Sequence, residues 1–302
     1  MDISIRYGVL NSNIDVTNIC LSKLLNNGII TIYPGDSWRS SYFTDPTFGV
    51  LKEIIIITKN AIYEYDHTKT IKINILNNNI TAVSDDDILK KLFNIHSKIK
   101  MVHGHLMDEF PEQKMSVRYL TGNEKVLEIG ANVGRNTLII SSILNDSKNL
   151  VTLESDENTA KLLKENRDIN NLNFHIENSA LSMRKLIQKG WDTIPSDVLL
   201  DGYKWINTIT FNEIKDKYNI EFDTLVLDCE GAFYYILMDM PEILNNIKLI
   251  ILENDYPNVS HRSYVGEILL KNNFYLDYFD NYSDNKLIGT LCGNSFEVWK
   301  RQ

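Results

Sequence analysis

The stretch Val126-Leu-Glu-Ile-Gly-Ala-Asn-Val-Gly-Arg135 decides how this chain folds. Its first four residues predict a short buried strand, and the residues from Arg135 onward predict a helix. Gly130 and Gly134 lie in the turn between them, where an α/β sheet brings its backbone close to a ligand. Their GxxxG spacing lacks the GxGxxG turn that holds a dinucleotide pyrophosphate. The same glycines also suit a tight strand-to-helix turn with no ligand.

The next predicted strand, Leu150-Val-Thr-Leu, ends at Glu154. The carboxyl ends of neighbouring parallel strands meet at one edge of the sheet, so Glu154 is expected near Gly130. A carboxylate at this place accepts hydrogen bonds from ribose hydroxyls. A nucleoside held without a phosphate cradle is what S-adenosylmethionine (SAM) requires, and we predict SAM as the cofactor.

Strands and helices alternate from about residue 105 to the end of the chain, which predicts a mostly parallel sheet covered on both faces. The last two predicted strands, around Phe274 and Trp299, have no helix between them and predict an antiparallel edge. Residues 181–209 interrupt the alternation and are predicted to be an inserted loop region. Its Trp191 and Trp205 either stack on a substrate ring or bury the insert against the domain.

The first 80 residues contain short β-branched runs separated by turn residues, which predicts a small β-rich module. Asp85-Asp86-Asp87 then starts a predicted helix. We therefore predict a β-rich module over residues 1–82, a helical linker over 83–104 and an α/β domain over 105–302.

The chain has 302 residues with 31 basic and 40 acidic side chains, a net charge of −9. No local basic patch offsets this charge, so neither a nucleic acid nor a membrane surface is an expected partner. The three cysteines have no CxxC spacing, and no signal peptide or transmembrane stretch is recognisable. We expect a cytoplasmic protein of unknown oligomeric state.

The region from about residue 105 to 299 resembles the FkbM-type SAM-dependent methyltransferases. The resemblance implies a Rossmann-like class I methyltransferase fold, with a mostly parallel seven-stranded sheet and an antiparallel edge. The matching stretches are VLEIGANVG (126–134), LESD (153–156), NSALS (178–182), TFNEI (210–214), LDCEG (227–231) and IILEN (250–254), with DEFPEQKMSVRYL (108–120) as the lead-in helix.

The resemblance also assigns roles, which we keep as expectations. Glu154 would hold the ribose hydroxyls, and Ser179 and Ala180 would lie beside the adenine. Asp228 and Glu230 would face the transferring methyl group as the catalytic pair. The remaining cofactor-binding residues, around the methionine and ribose, would be Glu128, Gly130, Asn132 and Gly134.

Methyl transfer to a hydroxyl benefits from a carboxylate that takes the hydroxyl proton, and Asp228 and Glu230 are the candidates. The alternative for Asp228 is to cap the helix that starts near Phe233. We expect O-methylation of a small molecule, a sugar or glycan precursor. This chain has Val226 and Phe233 where the family usually has a lysine and a glutamate. The alternative is therefore a catalytically degenerate methyltransferase fold that acts as a binding or structural protein.

Glu253 and Asn254 end the following predicted strand. With Asp228 they offer three oxygen ligands to Mg²⁺, as in metal-dependent catechol-type relatives of the fold, or they simply cap the next loop. Mg²⁺ is a possible cofactor that the sequence does not favour. We also count Glu253, Asn254 and His261 as candidate substrate contacts, although a lone histidine such as His261 more often lies at a surface or helix cap.

Residues 3–66 resemble a β-rich module found at the C-terminus of a DnaJ-type co-chaperone. The resemblance implies an architectural or interaction role, such as self-association or partner binding, and no enzymatic one. Trp38, Arg39, Tyr42 and Phe43 cluster in a predicted loop and are candidates for a partner or carbohydrate contact.

Overall fold

The structure of the protein, a computed structural model, describes residues 3–26, 28–256, 258–281 and 295–302. The chain divides into two compact units, residues 1–91 and residues 92–302, and helix Asp85–His96 contributes residues to both. Cys292 lies outside the described residues. Among the helices of these ranges, none is both long and apolar enough to cross a membrane.

The first unit contains two four-stranded antiparallel sheets, with strand orders β2-β1-β5-β6 and β3-β4-β7-β8. Alternate isoleucines of these strands face a shared core, which buries their apolar surface. The strands are β1 Ile3–Val9, β2 Ser12–Asp15, β3 Leu25–Asn26, β4 Ile29–Ile32, β5 Glu53–Thr58, β6 Ile62–Tyr65, β7 Lys69–Asn74 and β8 Asn79–Ser84. The helices are α1 Thr17–Ile19, a π turn at Cys20–Leu24, α2 Asp36–Phe43 and α3 Asp85–His96.

The predicted loop around Arg39 is helix α2, and two of its four candidate contact residues are buried. Arg39 donates hydrogen bonds to the carbonyl oxygens of Tyr33, Asp66 and Lys69 at 3.0, 2.9 and 2.7 Å. Phe43 lies in the core of the unit. Arg39 and Phe43 therefore hold this unit together and are not available to a partner, while the Trp38 side chain lies outside the described side chains.

The first unit also contains a charge cluster in which Asp36 and Asp45 contact the buried side chain of Lys52, and we call it the lysine cluster. The Lys52 side chain is 2% exposed, and its Nζ lies 3.1 Å from a carboxylate oxygen of each aspartate. Burial alone would raise the pKa of Asp36, but hydrogen bonds from Lys52 and Tyr7 lower it. The chain thus supplies both signs of charge in this cluster.

The second unit contains twelve described strands and six helices that lie wholly within it. The strands are β9 Val126–Ile129, β10 Leu150–Leu153, β11 His175–Glu177, β12 Ala180–Leu181, β13 Leu186–Lys189, β14 Asp192–Pro195, β15 Lys204–Ile206, β16 Thr208–Ile209, β17 Thr224–Leu227, β18 Leu249–Asn254, β19 Phe274–Asn281 and β20 Ser295–Arg301. The helices are α4 Phe110–Tyr119, α5 Arg135–Ile143, α6 Glu157–Ile169, α7 Phe211–Tyr218, α8 Phe233–Asp239 and α9 Val259–Lys271, with 3-10 turns at Leu106–Glu109, Ser147–Asn149 and Pro241–Leu244.

Seven of these strands form one sheet in the order β11-β10-β9-β17-β18-β20-β19. The first five are parallel, and β20 runs antiparallel to both β18 and β19. This order, with an antiparallel strand inserted near one edge, is the Rossmann-like fold of class I methyltransferases. The predicted fold class is confirmed, including the antiparallel edge and the β-rich sheets that precede this unit.

The central strands are buried on both faces because neighbouring residues point to opposite sides of the sheet. In β17, Leu225 and Leu227 belong to one core and Val226 to the other. The strand order reverses between β9 and β17, since β10 lies on one side of β9 and β17 on the other. In such sheets ligands bind beyond the carboxyl ends of the strands at this switch point.

The region 181–209 differs from the sequence prediction of a loop. It contains a three-stranded antiparallel sheet in the order β14-β13-β15 and a short parallel pair, β12 with β16. The sequence signal is weak because these strands are two to four residues long and lack sustained alternation.

Candidate active site

The turn after β9 brings its backbone against the backbone that follows β17. Gly130 has a φ of +94°, and a Cβ at this position would lie 1.6 Å from the carbonyl oxygen of Asp228. The Gly130 and Ala131 amides donate to the Leu153 carbonyl at 3.1 and 2.9 Å. Glycine is therefore required at 130 both by its backbone conformation and by this close approach.

Glu154 directly follows β10, and each of its two carboxylate oxygens accepts one hydrogen bond from a backbone amide. Its Oε2 accepts from the Asn132 amide at 2.9 Å, and its Oε1 accepts from the Asp156 amide at 2.7 Å. Asn132 adopts a φ of +49°, which lets its amide reach the carboxylate. Burial raises the pKa of Glu154, and these two amides oppose the shift. Each oxygen keeps a lone pair for a further donor.

A large cavity of about 1150 Å³ opens beyond these strand ends. This volume exceeds the roughly 300–1,000 Å³ that one small ligand needs, so a cofactor and an acceptor fit together. The predicted site residues that line it are Gly130, Asn132, Glu154, Ser179, Ala180, Asp228, Glu230 and Glu253. The fold thus brings eight of the twelve site residues predicted from the sequence to the wall of one cavity.

Two predicted cofactor residues lie beneath the cavity and not on its wall. Glu128 is 3% exposed and accepts a hydrogen bond from Thr152 Oγ1 at 2.6 Å. Burial raises the pKa of Glu128 to about 7. Gly134 is the N-cap of α5, where a Cβ would lie 2.5 Å from Leu163 Cδ1. Gly134 therefore serves helix packing, as the simple-turn alternative expects.

The ends of β17 and β18 meet helix α4 at a group of three carboxyls, which we call the acid cluster: Glu112, Asp228 and Glu253. One oxygen from each lies within 4.8 Å of the others. Burial raises the pKa of all three, and the charge of a neighbour in the cluster raises each one further. Glu112 is not among the site residues predicted from the sequence, because only tertiary packing brings α4 to these strand ends.

Glu230 and Asp255 form a second acidic pair on the cavity wall. Glu230 has a φ of +50°, an uncommon conformation for a residue with a Cβ. Asp255 accepts a hydrogen bond from the Gly231 amide at 3.1 Å. Burial raises the pKa of Asp255, and its hydrogen bond with Glu230 and the charge of Glu230 raise it further. The fold holds Glu230 in a strained backbone position beside the cavity, as is common at functional sites.

Two predicted substrate contacts do not line the cavity. Asn254 is 5% exposed, and its Nδ2 donates to Glu297 Oε1 at 2.7 Å. Alternate residues of a strand face opposite ways, so Asn254 points away from the side that Glu253 faces. His261 stacks on Tyr234 with ring centroids 3.7 Å apart and an interplanar angle of 5°. His261 thus packs on an aromatic ring in the first turn of α9, and its role as a substrate contact stays a prediction.

The inserted sheet contributes one wall of the cavity. Trp191 lines the cavity and is 68% exposed, while Trp205 does not line it. Gln188 Nε2 donates to Ser155 Oγ at 3.0 Å, which ties the insert to the end of β10. Arg184 Nη2 pairs with Asp239 at 2.8 Å, also on the cavity wall.

No protein-family model matches this chain, and no curated protein matches it either. The assignments to the FkbM family and to the DnaJ-type module therefore remain predictions.

Solved structures similar to the chain include three methyltransferases. An O-methyltransferase from Bacillus cereus in complex with SAH is 14% identical, with a TM-score of 0.42, over 72% of this chain and 90% of that one. A ribosomal protein L11 methylase from Lactobacillus delbrueckii subsp. bulgaricus is 10% identical, with a TM-score of 0.42, over 67% and 82%. An M1A22 tRNA methyltransferase of B. subtilis is 13% identical, with a TM-score of 0.40, over 63% and 65%.

Proposed function

We propose that this protein is a SAM-dependent methyltransferase that methylates a hydroxyl of a small molecule. The observation that carries the proposal is the placement of Glu154, at the end of β10 on the wall of a 1150 Å³ cavity. Its carboxylate keeps lone pairs toward the cavity while two backbone amides fix its position. A pair of vicinal hydroxyls, as in ribose, matches such a carboxylate.

The residues around Glu154 suit the other parts of SAM. Ser179 and Ala180 line the cavity next to β11, where an adenine ring would lie. The Gly130–Asn132 turn leaves its backbone accessible for the ribose and methionine portions. When bound, SAM supplies an electrophilic methyl group on a positively charged sulfur.

The catalytic role falls to the carboxylates at the end of β17. Asp228 and Glu230 lie on the wall of the same cavity as Glu154. With SAM and an acceptor bound, one of these carboxylates would take the hydroxyl proton when the acceptor oxygen gains the methyl group and SAH is left, which would contribute roughly 10²- to 10⁴-fold to the rate. Alignment of the acceptor with the sulfur–carbon bond contributes the larger share of the acceleration.

The acceptor we favour is a sugar or glycan precursor. Trp191 presents an exposed ring to the cavity, and sugars bind by stacking their apolar ring face on such a surface. Asp192, Arg184 and Asp239 also line the cavity and offer hydrogen-bonding partners to hydroxyls. Nucleotide sugars and free glycans are therefore the first acceptors to screen.

Calorimetric titration with SAM and with SAH tests the cofactor site. We expect Glu154→Gln to weaken both affinities by about 10- to 100-fold, since a hydrogen bond to a charged group contributes roughly 1.5–3 kcal/mol. Glu157→Gln is the matched control, because Glu157 is exposed on α6 and pairs with Lys161. If folded wild-type protein binds neither compound, with or without Mg²⁺, the proposal is wrong.

Methyl transfer from labelled SAM to the acceptor panel tests the second half of the proposal. Trp191→Ala is expected to raise KM for the acceptor, while Trp205→Ala, from the same insert but not on the cavity wall, is the control. Glu230→Gln is expected to lower kcat with little change in SAM affinity.

The second candidate function is a cofactor-binding protein without catalysis. Val226 is 3% exposed and Phe233 is fully buried, at the positions where the resembled family has charged residues. SAM binding with no transfer to any hydroxyl in the panel would favour this alternative.

A further inference from the structure

We propose that Glu112, Asp228 and Glu253 bind a divalent cation of the Mg²⁺ or Mn²⁺ type. Glu112 lies in α4, Asp228 directly follows β17 and Glu253 lies in β18, so the site exists only in the folded unit. They surround a small pocket with an accessible volume of about 10 Å³, roughly the space of one water molecule. A single ion, and no larger ligand, fits this space.

The distances agree with a shared ion. One oxygen from each residue lies within 4.8 Å of the other two. Oxygens on opposite sides of Ca²⁺ at about 2.4 Å are about 4.8 Å apart, and those around Mg²⁺ at about 2.1 Å are up to about 4.2 Å apart, so the smaller ion would draw the three carboxyls slightly together. All the donors are carboxylate oxygens, which is the chemistry of a hard divalent cation.

One oxygen of the cluster, Glu112 Oε2, has no hydrogen-bond partner in the described part of the chain. Glu112 is 7% exposed, and its Oε2 is buried with no hydrogen-bond donor among the described residues. Glu112 also lines the small pocket, so this oxygen belongs to a side chain that faces the proposed ion. A buried carboxylate oxygen without a donor is costly, and a bound cation removes this cost.

The pocket holds strong negative charge with little compensation. Glu109 and Glu128 line it together with the three proposed ligands. Among the described lining residues there is no lysine, arginine or histidine. Arg135, which is not one of them, pairs with Glu109 at 2.9 Å and with Asp108 at 3.3 Å. A cation of charge two is the ligand that this set of carboxylates favours.

The position also suggests what the ion does, and this part rests on the proposed function. Glu112, Asp228 and Glu253 line the large cavity as well as the small pocket. An ion between them has open positions toward the cavity for oxygens of a hydroxyl-rich acceptor. Asp228 then acts as a ligand, which leaves Glu230 to take the proton.

Binding of Mn²⁺, followed by electron paramagnetic resonance without SAM, tests the site directly. We expect about one tightly bound Mn²⁺ per chain, displaced by Mg²⁺. Glu112→Gln and Asp228→Asn should each weaken binding at least about tenfold. Asp192→Asn removes the same charge elsewhere on the cavity wall and should leave binding within about twofold.

Val226→Lys provides an independent variant, because Val226 lines the small pocket and its replacement places an ammonium there. This variant is expected to abolish Mn²⁺ binding. Wild-type Mn²⁺ at 100 times its dissociation constant should raise Tm by about 5–10 °C, and Val226→Lys should show no such rise.

Anomalous diffraction from wild-type crystals grown with Mn²⁺ locates the ion even if a variant fails to fold. A peak between the three carboxylates supports the proposal. No Mn²⁺ binding at millimolar concentration, a peak elsewhere, or unchanged binding by Glu112→Gln would overturn it. Because these measurements omit SAM, and the SAM titrations are run with and without Mg²⁺, either proposal can fail without the other.

Discussion

The lysine cluster of the first unit and the acid cluster of the second both bring charged side chains together, but among the described residues only the first includes a cation. Lys52 lies 3.1 Å from both Asp36 and Asp45. Glu112, Asp228 and Glu253 instead face one another with no cationic side chain among the described residues of their pocket.

This difference indicates a structural role for the lysine cluster and a binding role for the acid cluster. A buried ion pair with its partners present is stable in place and needs nothing from solution. Buried carboxyls without a neighbouring cation must either stay protonated or bind a cation from solution. Protein stability should therefore respond oppositely when charge is removed from the two clusters.

The largest effect is expected at the backbone beside the acid cluster, for Gly130→Ala. A Cβ would lie 1.6 Å from the Asp228 carbonyl oxygen at a φ of +94°, so the turn after β9 must move. We expect a loss of at least about 4 kcal/mol in the free energy of unfolding, measured by urea denaturation.

Gly266→Ala is the control for this substitution. Gly266 lies within helix α9, and a Cβ added at this position would meet no neighbouring atom within 4 Å. Alanine there should raise stability by about 0.5–1 kcal/mol. A similar loss for both variants would show that Gly130 has no special requirement.

Lys52→Met should be the next largest change. It leaves Asp36 and Asp45 without their cation, and we expect a loss of about 3 kcal/mol in the free energy of unfolding of the first unit. Lys90→Met, on the exposed side of α3, is the matched control. A loss below about 0.5 kcal/mol would remove the contrast between the clusters.

Glu128 provides a test of pH dependence beneath the cavity. Burial raises its pKa to about 7, so the folded protein holds this proton more tightly than the unfolded chain. Its contribution to stability is present below about pH 4.5 and is lost as pH rises through 7, by about 2–3 kcal/mol. Urea denaturation of Glu128→Gln between pH 5 and 8 should lack this decline, and a decline equal to the wild type's would contradict the assignment.

The smallest effect is expected for Glu253→Gln, where the sign of the change in the free energy of unfolding is informative. Without divalent cations at pH 8, removing one negative charge from the acid cluster should raise the free energy of unfolding by about 1 kcal/mol. Adding Mn²⁺ should reverse the order, because only the wild type keeps all three ligands. Destabilisation of the cation-free protein would mean that the cluster is already neutralised within the fold.

Most residues around the proposed cofactor site could be predicted from the sequence, but fewer of those around the proposed acceptor site could. Glu154, Asn132 and Gly130 follow from one strand–turn–helix pattern and the strand after it, where local signals are strong. Glu112 lies on a helix more than 100 residues before Asp228, and no local pattern relates the two. Because neighbouring residues of a strand face opposite sides, Glu253 and Asn254 of β18 cannot both face the cavity, although the sequence prediction counts both as substrate contacts.

The amino-acid sequence is enough to predict the alternation of strands and helices, the glycine at 130 and the carboxylates at the strand ends. Each of these depends on backbone conformation or on side-chain period, which neighbouring residues control. The tertiary structure alone decided that α4 adds Glu112 to the acid cluster, that Asn254 turns to Glu297, and that the insert is a sheet with Trp191 on the cavity wall. These depend on packing between elements distant in the chain, where long-range contacts outweigh local preference.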